Sequence, residues 1–184
     1  MENSKKILRE RARKIRSAIP DESRVIARES LHRNVTGYLR EAKPHGLVGT
    51  YYPYGGEIHP PHHLDGYNLA LPVIRQGITL EFYQWDDSQP VVKRDFDIPI
   101  PDTRHLNPVV PACILLPLVL CDTYGNRIGQ GAGHYDRYIA SLERKPLLIG
   151  VCFEEQVSET PLPAELHDVR LDVIITPQRI IGME

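Results

Sequence analysis

The sequence predicts one α/β domain, residues 1–184, built on a mostly parallel β-sheet. Three observations carry this expectation. The apolar run Cys113–Cys121 reads as a buried strand, followed by a glycine-rich loop, a helical stretch Tyr135–Leu142 and a second apolar run, Leu147–Phe153. Strand, helix and strand in that order form a crossover unit whose two strands pair in parallel. The length of 184 residues, with 41% hydrophobic and 25% charged residues, is that of a globular domain able to bury most of its apolar surface. Finally, no repeat, low-complexity tract or linker divides the chain.

The elements follow in order. Asn3 or Ser4 caps a first helix to about Ala18, with Leu8, Ala12, Ile15 and Ile19 as its apolar stripe. Pro20 and Asp21 break and restart the chain, and a second helix runs to about Ala42, burying Ala27, Leu31, Val35, Tyr38 and Ala42. Gly46–Tyr52 reads as a strand ending in the turn-rich Pro53–Gly56. Asn68–Ile74 and Ile78–Trp85 are two more strands, separated by Arg75-Gln76-Gly77. Asp86–Pro111, rich in Pro and Asp, is expected to be irregular with one helical turn. After the crossover unit, Asp172–Thr176 is a late strand and Arg179–Ile181 a short last one.

Bulk properties exclude several classes. A net charge of −2 provides no global field for nucleic acid. No run approaches the length of a membrane span. The first ten residues lack the apolar core of a signal peptide. Cys113, Cys121 and Cys152 show no C-x-x-C pairing and sit in apolar runs, so they read as buried thiols in a reducing cytosol. There is no Ser-His-Asp order, Cys-His pair or H-E-x-x-H motif, which favours chemistry by positioning and charge.

The stretch Asp122–Arg137, D-T-Y-G-N-R-I-G-Q-G-A-G-H-Y-D-R, carries the strongest chemical signal. Gly129, Gly131 and Gly133 alternate ahead of a helix start, an arrangement whose amides can cradle an anion. Arg127 adds a cation and Asp136 a carboxylate able to hold a metal. The same glycines also suit a plain tight connection. A Walker A loop is excluded because no G-K-[ST] follows, and a dinucleotide fingerprint is weakened by His134 at its third glycine, although Glu154 lies at a plausible distance for a ribose. Lys5, Arg9 and Arg13 lie one turn apart on one helix face, either solvated or facing an anion. Glu57 follows the first strand, and ligands gather at the carboxyl ends of strands. It suits a ligand with paired N–H donors, or it is a loop carboxylate in water. Glu57, His59, His62 and His63 form a poor metal set because Pro60 and Pro61 interrupt them. Asp172 opens a strand as a turn residue or joins Asp136 as a second magnesium carboxylate. His167-Asp168 reads as a polarised pair or as turn chemistry.

With these residues in view, the chain resembles the 5-formyltetrahydrofolate cyclo-ligase family. Arg127–Arg137, after Leu116-Pro117 and Asp122-x-x-Gly125, is similar to the family signature. Lys5-x-x-Leu8-Arg9, Gly56-Glu57-Ile58, and His167-Asp168 with Asp172-x-Ile174-Ile175-Thr176 match its remaining motifs in order. The resemblance implies a three-layer α/β sandwich related to sugar-phosphate isomerases and CoA transferases. It implies ATP-dependent conversion of 5-formyltetrahydrofolate to 5,10-methenyltetrahydrofolate, with phosphorylation of the formyl oxygen, closure by N10, and ADP and phosphate as by-products. Carried over residue by residue, Lys5, Arg9, Arg127 and Gly129 to Tyr135 (Gln130, Gly131, Ala132, Gly133 and His134 included) hold ATP. Tyr52, Glu57 and the run Gln130–His134 meet the folate, with Trp85 stacking nearby. Arg127 and Tyr135 act at the reacting groups, and Asp136 and Asp172 hold Mg2+. The resemblance further implies a cytoplasmic monomer or weak dimer without nucleic-acid or membrane partners.

Four positions depart from the family pattern. His134 replaces a second aromatic, Gln130 and Ala132 replace basic residues of some members, and Ile100, in Asp97–Pro101, replaces a Glu. These departures motivate a second hypothesis, a folate-binding regulator without turnover. A third, a nucleic-acid binder using the basic helix, is opposed by the acidic charge balance.

Overall fold

The computed structural model describes residues 2–86, 88–93 and 98–183. Helix α1 spans Glu2–Ser17 and α2 spans Asp21–Ala42, close to the expected bounds. Strands β1 (Val48–Gly49), β2 (Leu69–Arg75) and β3 (Thr79–Trp85) follow. The segment expected to be irregular holds β4 (Val91–Lys93), β5 (Pro99–Pro101), a 3₁₀ turn at Thr103–His105 and β6 (Pro108–Val109). Asp97, at the head of the run through Pro101, lies outside the described residues.

The expected long strand Cys113–Cys121 is two strands. β7 (Cys113–Pro117) stays in the main sheet, and β8 (Leu120–Asp122) turns into a hairpin with β9 (Arg127–Ile128). The buried Asp122 carboxylate fixes that hairpin, accepting from the amides of Tyr124, Asn126 and Leu162 at 2.7–2.9 Å. Helix α3 (His134–Ser141), β10 (Leu147–Val151), β11 (Val157–Ser158), β12 (Val173–Ile175) and β13 (Ile180–Gly182) complete the order.

The main sheet runs β13-β12-β10-β7-β1-β2-β3-β6. β12, β10, β7, β1 and β2 are parallel, and β13, β3 and β6 are antiparallel additions. The expected parallel pairing is that of β7 with β10 across α3. Parallel strands are buried on both faces, which is why they read as unbroken apolar runs. Alternate residues separate accordingly. Cys113, Leu115, Ile149, Val151, Val173 and Ile175 pack under α2 through Leu31, Val35 and Leu39. Ile114, Leu116, Leu148 and Ile174 pack on the opposite face against Ile139 of α3. Two helices therefore sandwich the sheet, and each buried Leu or Ile contributes about 1.5–3 kcal/mol by removal from water. Gly150 sits where the layers press closest: a Cβ there would come within 2.5 Å of the Leu171 side chain.

Helix α1 keeps part of its expected stripe: Ala12 is buried, Leu8 is half-buried and Ile19, just past its end, packs on the core, whereas Ile15 is exposed. The face turned to the protein also carries cations, with Lys5 and Arg16 buried. In α2 the stripe ends on Leu39, and Ala42 is exposed.

Candidate active site

A cavity of about 660 Å³ opens at the carboxyl ends of β1 and β7. Lys5, Arg9, Tyr52, Glu57 and the whole run Arg127–Asp136 line it. Asp172 and Trp85 are not among its lining residues.

α1 lies along one side as a row of cations. Lys5 Nζ is 2.6 Å from Asp168 and 3.3 Å from Glu165. Arg9 Nε donates to Gly129 O at 3.1 Å, and Arg13 Nη2 to Gln130 Oε1 at 2.7 Å. Arg16, fully buried, donates to Gly55 O at 2.6 Å and Leu118 O at 3.4 Å. Lys5 is buried while Arg13 stays exposed, and acceptors on the protein offset the repulsion of like charges one turn apart. Burial opposes the charge on Lys5, but Asp168 and Glu165 outweigh it and raise its pKa. Asp168 is lowered in turn, because Lys5 and the Glu165 amide outweigh its own burial.

The glycine loop forms the floor. Gly131 (φ +110°) and Gly133 (φ +65°) adopt conformations that L side chains rarely take. Gly133 is the N-cap of α3. A Cβ on Gly131 would meet the Arg9 guanidinium only at ordinary van der Waals distance, 3.5 Å, so it is the backbone conformation that calls for glycine there. Arg127, buried, pairs with Asp136 Oδ1 at 2.8 Å, and its Nε lacks a hydrogen-bond partner. Burial first, then the Glu57 charge, raises the Tyr135 phenol well above its ordinary pKa, so it stays a neutral donor.

The acidic side differs from expectation. Asp136 Oδ1 accepts from Arg127 and from the Val169 amide at 3.1 Å, which sets Asp168 beside it. Asp172 is elsewhere: it binds Lys145 Nζ at 2.7 Å and the Leu148 amide at 2.8 Å. It precedes β12, parallel to β10 and β7, so it stands at the amino end of the sheet, opposite the cavity. The expected pair Asp136–Asp172 is therefore not assembled. Among the carboxylates lining the cavity are Asp136, paired with Arg127, and Asp168, paired with Lys5. Among the described residues no group of three His, Cys, Asp or Glu side chains is arranged to hold a metal. A pair of carboxylates beside an anion cradle suits magnesium that keeps its waters and arrives with phosphates.

Glu57 faces this floor across the cavity. The turn before it is fixed by Tyr51 Oη donating to Ile58 O at 2.9 Å and by Arg24 donating to Gly56 O at 3.0 Å. Its Oε2 accepts from the Tyr54 amide at 3.0 Å, and its Oε1 from Gln130 Nε2 at 2.9 Å. Burial raises its pKa against the opposing pull of those donors and of Arg16. Trp85, expected to stack on a ligand, instead packs edge-on behind Tyr52, centroids 5.8 Å apart. The His62 ring sits 4.4 Å from Tyr52 and its Nε2 meets Tyr51 O at 2.9 Å, so it supports the wall. Ile100, which departs from the family's Glu, is an apolar wall residue of the cavity.

Arg13, Glu165 and Asp168 are site residues that sequence reasoning did not assign. Arg13 continues the Lys5–Arg9 spacing by one turn, and that signal was present. By sequence His167-Asp168 fits a polarised pair or a turn equally, and only the fold separates the place of Asp168 from that of Asp172.

A family model described as the 5-formyltetrahydrofolate cyclo-ligase family matches residues 1–177. The 5-formyltetrahydrofolate cyclo-ligase of Mycolicibacterium smegmatis is 31% identical over 194 residues, covering 96% of this chain and 95% of the relative. That of Escherichia coli K12 is 26% identical, covering 90% and 95%. The solved structure of Aquifex aeolicus 5,10-methenyltetrahydrofolate synthetase superposes with a TM-score of 0.76 at 26% identity, covering 98% of this chain and 93% of that one. The Mycoplasma pneumoniae synthetase, at 21% identity, shares the fold with a TM-score of 0.72 over 94% and 98% of the two chains.

Proposed function

The chain belongs to the 5-formyltetrahydrofolate cyclo-ligase family, and from that premise we propose that it converts 5-formyltetrahydrofolate to 5,10-methenyltetrahydrofolate at the expense of ATP. One observation carries this reading: a cationic helix face, a glycine floor and a half-buried carboxylate converge on a single cavity. The first two suit a triphosphate, and the third suits the amino and ring N–H donors of a pterin.

The formyl oxygen attacks the γ-phosphorus of ATP, and ADP leaves. N10 then attacks the activated carbon, phosphate departs with the former formyl oxygen, and the N10 proton leaves to the departing phosphate or to water. An amide oxygen is a poor leaving group, so phosphorylation lowers the barrier to ring closure. Lys5, Arg9 and Arg127 hold the phosphates, with the amides of Gly129 to Gly133. Arg127, a buried cation lining the cavity, neutralises charge that grows on the phosphoryl group in flight. Tyr135 donates a hydrogen bond from its protonated phenol near the formyl end. Tyr52, Gln130, Ala132 and His134 line the folate side, and Glu57 fixes the pterin. Asp136 and Asp168 are the residues suited to hold Mg2+, which supplies charge neutralisation on the phosphates when bound. Asp168 takes this role in place of Asp172 because it lies at the cavity.

The departure at Gln130, which motivated the regulator hypothesis, leaves the site connected: Gln130 bonds both Arg13 and Glu57. The test is incubation of the purified protein with 5-formyltetrahydrofolate, ATP and magnesium, following methenyl absorbance. Growth of that absorbance only with ATP present is expected. Tight folate binding without any absorbance change overturns turnover in favour of the regulator.

A further inference from the structure

The Gln130 side chain is held at both ends. Its Nε2 donates to Glu57 Oε1 at 2.9 Å, and its Oε1 accepts from Arg13 Nη2 at 2.7 Å. The carboxylate proposed to hold the pterin is thus already engaged by the loop proposed to hold the triphosphate. From this we infer that Gln130 is a displaceable cap on Glu57, and that nucleotide binding loosens the cap so that each substrate tightens the binding of the other. The inference rests on the ATP and folate reading above.

The parts suit such a device. A pterin presenting paired N–H donors competes directly with the Gln130 amide for Oε1, while the backbone Tyr54 amide stays on Oε2. Gln130 is exposed and flanked by glycines, so its displacement disturbs no core packing. Arg13 orients its amide, pointing Nε2 at Glu57. Arg13 also lines the cavity on the same helix face as Lys5 and Arg9. A guanidinium–phosphate bond is charge-assisted and stronger than one to a neutral amide. A triphosphate therefore draws Arg13 from Gln130, and the cap loses its support. By linkage the effect is mutual, and couplings of this kind are typically about 5–150-fold.

The experiment measures the Kd of 5-formyltetrahydrofolate by calorimetry on the full chain, with and without a magnesium complex of a non-hydrolysable ATP analogue. In the unsubstituted protein the analogue is expected to tighten folate binding by about tenfold. Gln130→Ala should bind folate more tightly than the parent without nucleotide and lose most of the tightening. Arg13→Ala should lose it too. Gln130→Lys, which sets an ammonium against Glu57, should bind folate more weakly without nucleotide. Both side chains are exposed, and thermal melts check that each variant is folded. Equal tightening in all four proteins overturns the cap, as does an absence of tightening in the parent. The methenyl assay on the same samples separates the two readings. Turnover with unaltered coupling sinks the cap alone, and failure to bind folate in every sample sinks the functional reading along with it.

Discussion

Asp136 carries two duties. It lies at the phosphate floor, and it balances the buried Arg127, with side-chain exposures of 18% and 5%. Asp136→Asn keeps an acceptor for the Val169 amide but leaves the guanidinium without a counter-charge. Turnover should fall by at least about 100-fold, as when a charged transition-state partner is lost, and stability by about 1–3 kcal/mol, read by urea unfolding. Activity near the parent level would remove Asp136 from the chemistry. Glu57 makes the opposite trade. Its pKa is raised by burial, so the ionised form costs the fold stability at neutral pH. The sign follows from linkage: stability tied to this group is fully present below the unfolded pKa and is lost as pH rises through the folded one. Glu57→Gln should therefore raise the melting temperature slightly at pH 7.5 while raising the folate KM and sparing the ATP KM. In the parent, the folate KM should begin to climb on acidification above the pH at which an ordinary carboxylate protonates, and in the Gln variant that climb should disappear. His62 moves the other way. Burial lowers its pKa to about 4, so stability tied to its neutral ring is full above about pH 6.5 and is lost as pH falls toward 4.

At the scale of elements, α1 and α2 are both regular helices with different reasons to stay in place. α2 is held by Leu31, Val35 and Leu39 in the core. α1 buries Lys5, Arg16 and Ala12, and its bonds to the body run through guanidinium and ammonium groups. Regions with few buried apolar contacts open at lower free energy. Hydrogen exchange should show α1 amides exchanging faster than those of α2 across residues 31–39, and nucleotide should slow α1 selectively. Equal protection of the two helices without ligand would contradict this account. The cationic side of α1 also marks a limit of pattern reading. Of Leu8, Ala12, Ile15 and Ile19, Ala12 is buried and Ile19 packs on the core, but the groups that receive the cations of α1 are carbonyls and carboxylates 39 to 163 positions away, which no local period encodes. The glycine loop and α2 were legible because their reasons are local: alternating glycines before a helix start, and apolar residues three and four apart. The β7–β8 break was hidden because Leu116 to Leu120 stays apolar while the chain changes sheet.

At the scale of the molecule, sheet polarity decides which end of a strand meets the ligand. Asp168 and Asp172 are four residues apart, and both fit a motif by spacing. Their difference is that one lies beside the carboxyl ends of the parallel strands and the other at an amino end. Asp172→Asn should keep turnover near the parent value and cost about 0.5–1.5 kcal/mol through its bonds to Lys145 and the Leu148 amide. Loss of turnover in a folded protein would return Asp172 to the site. The same long-range closure has a consequence in time. Lys5 and Asp168 meet 163 residues apart in sequence, so Lys5 cannot complete its ion pair until Asp168 has left the ribosome tunnel. Until then a nascent chain cannot seat the cation that faces the phosphates, however much of its glycine floor is made. Catalytic competence should therefore appear only after Asp168 has emerged.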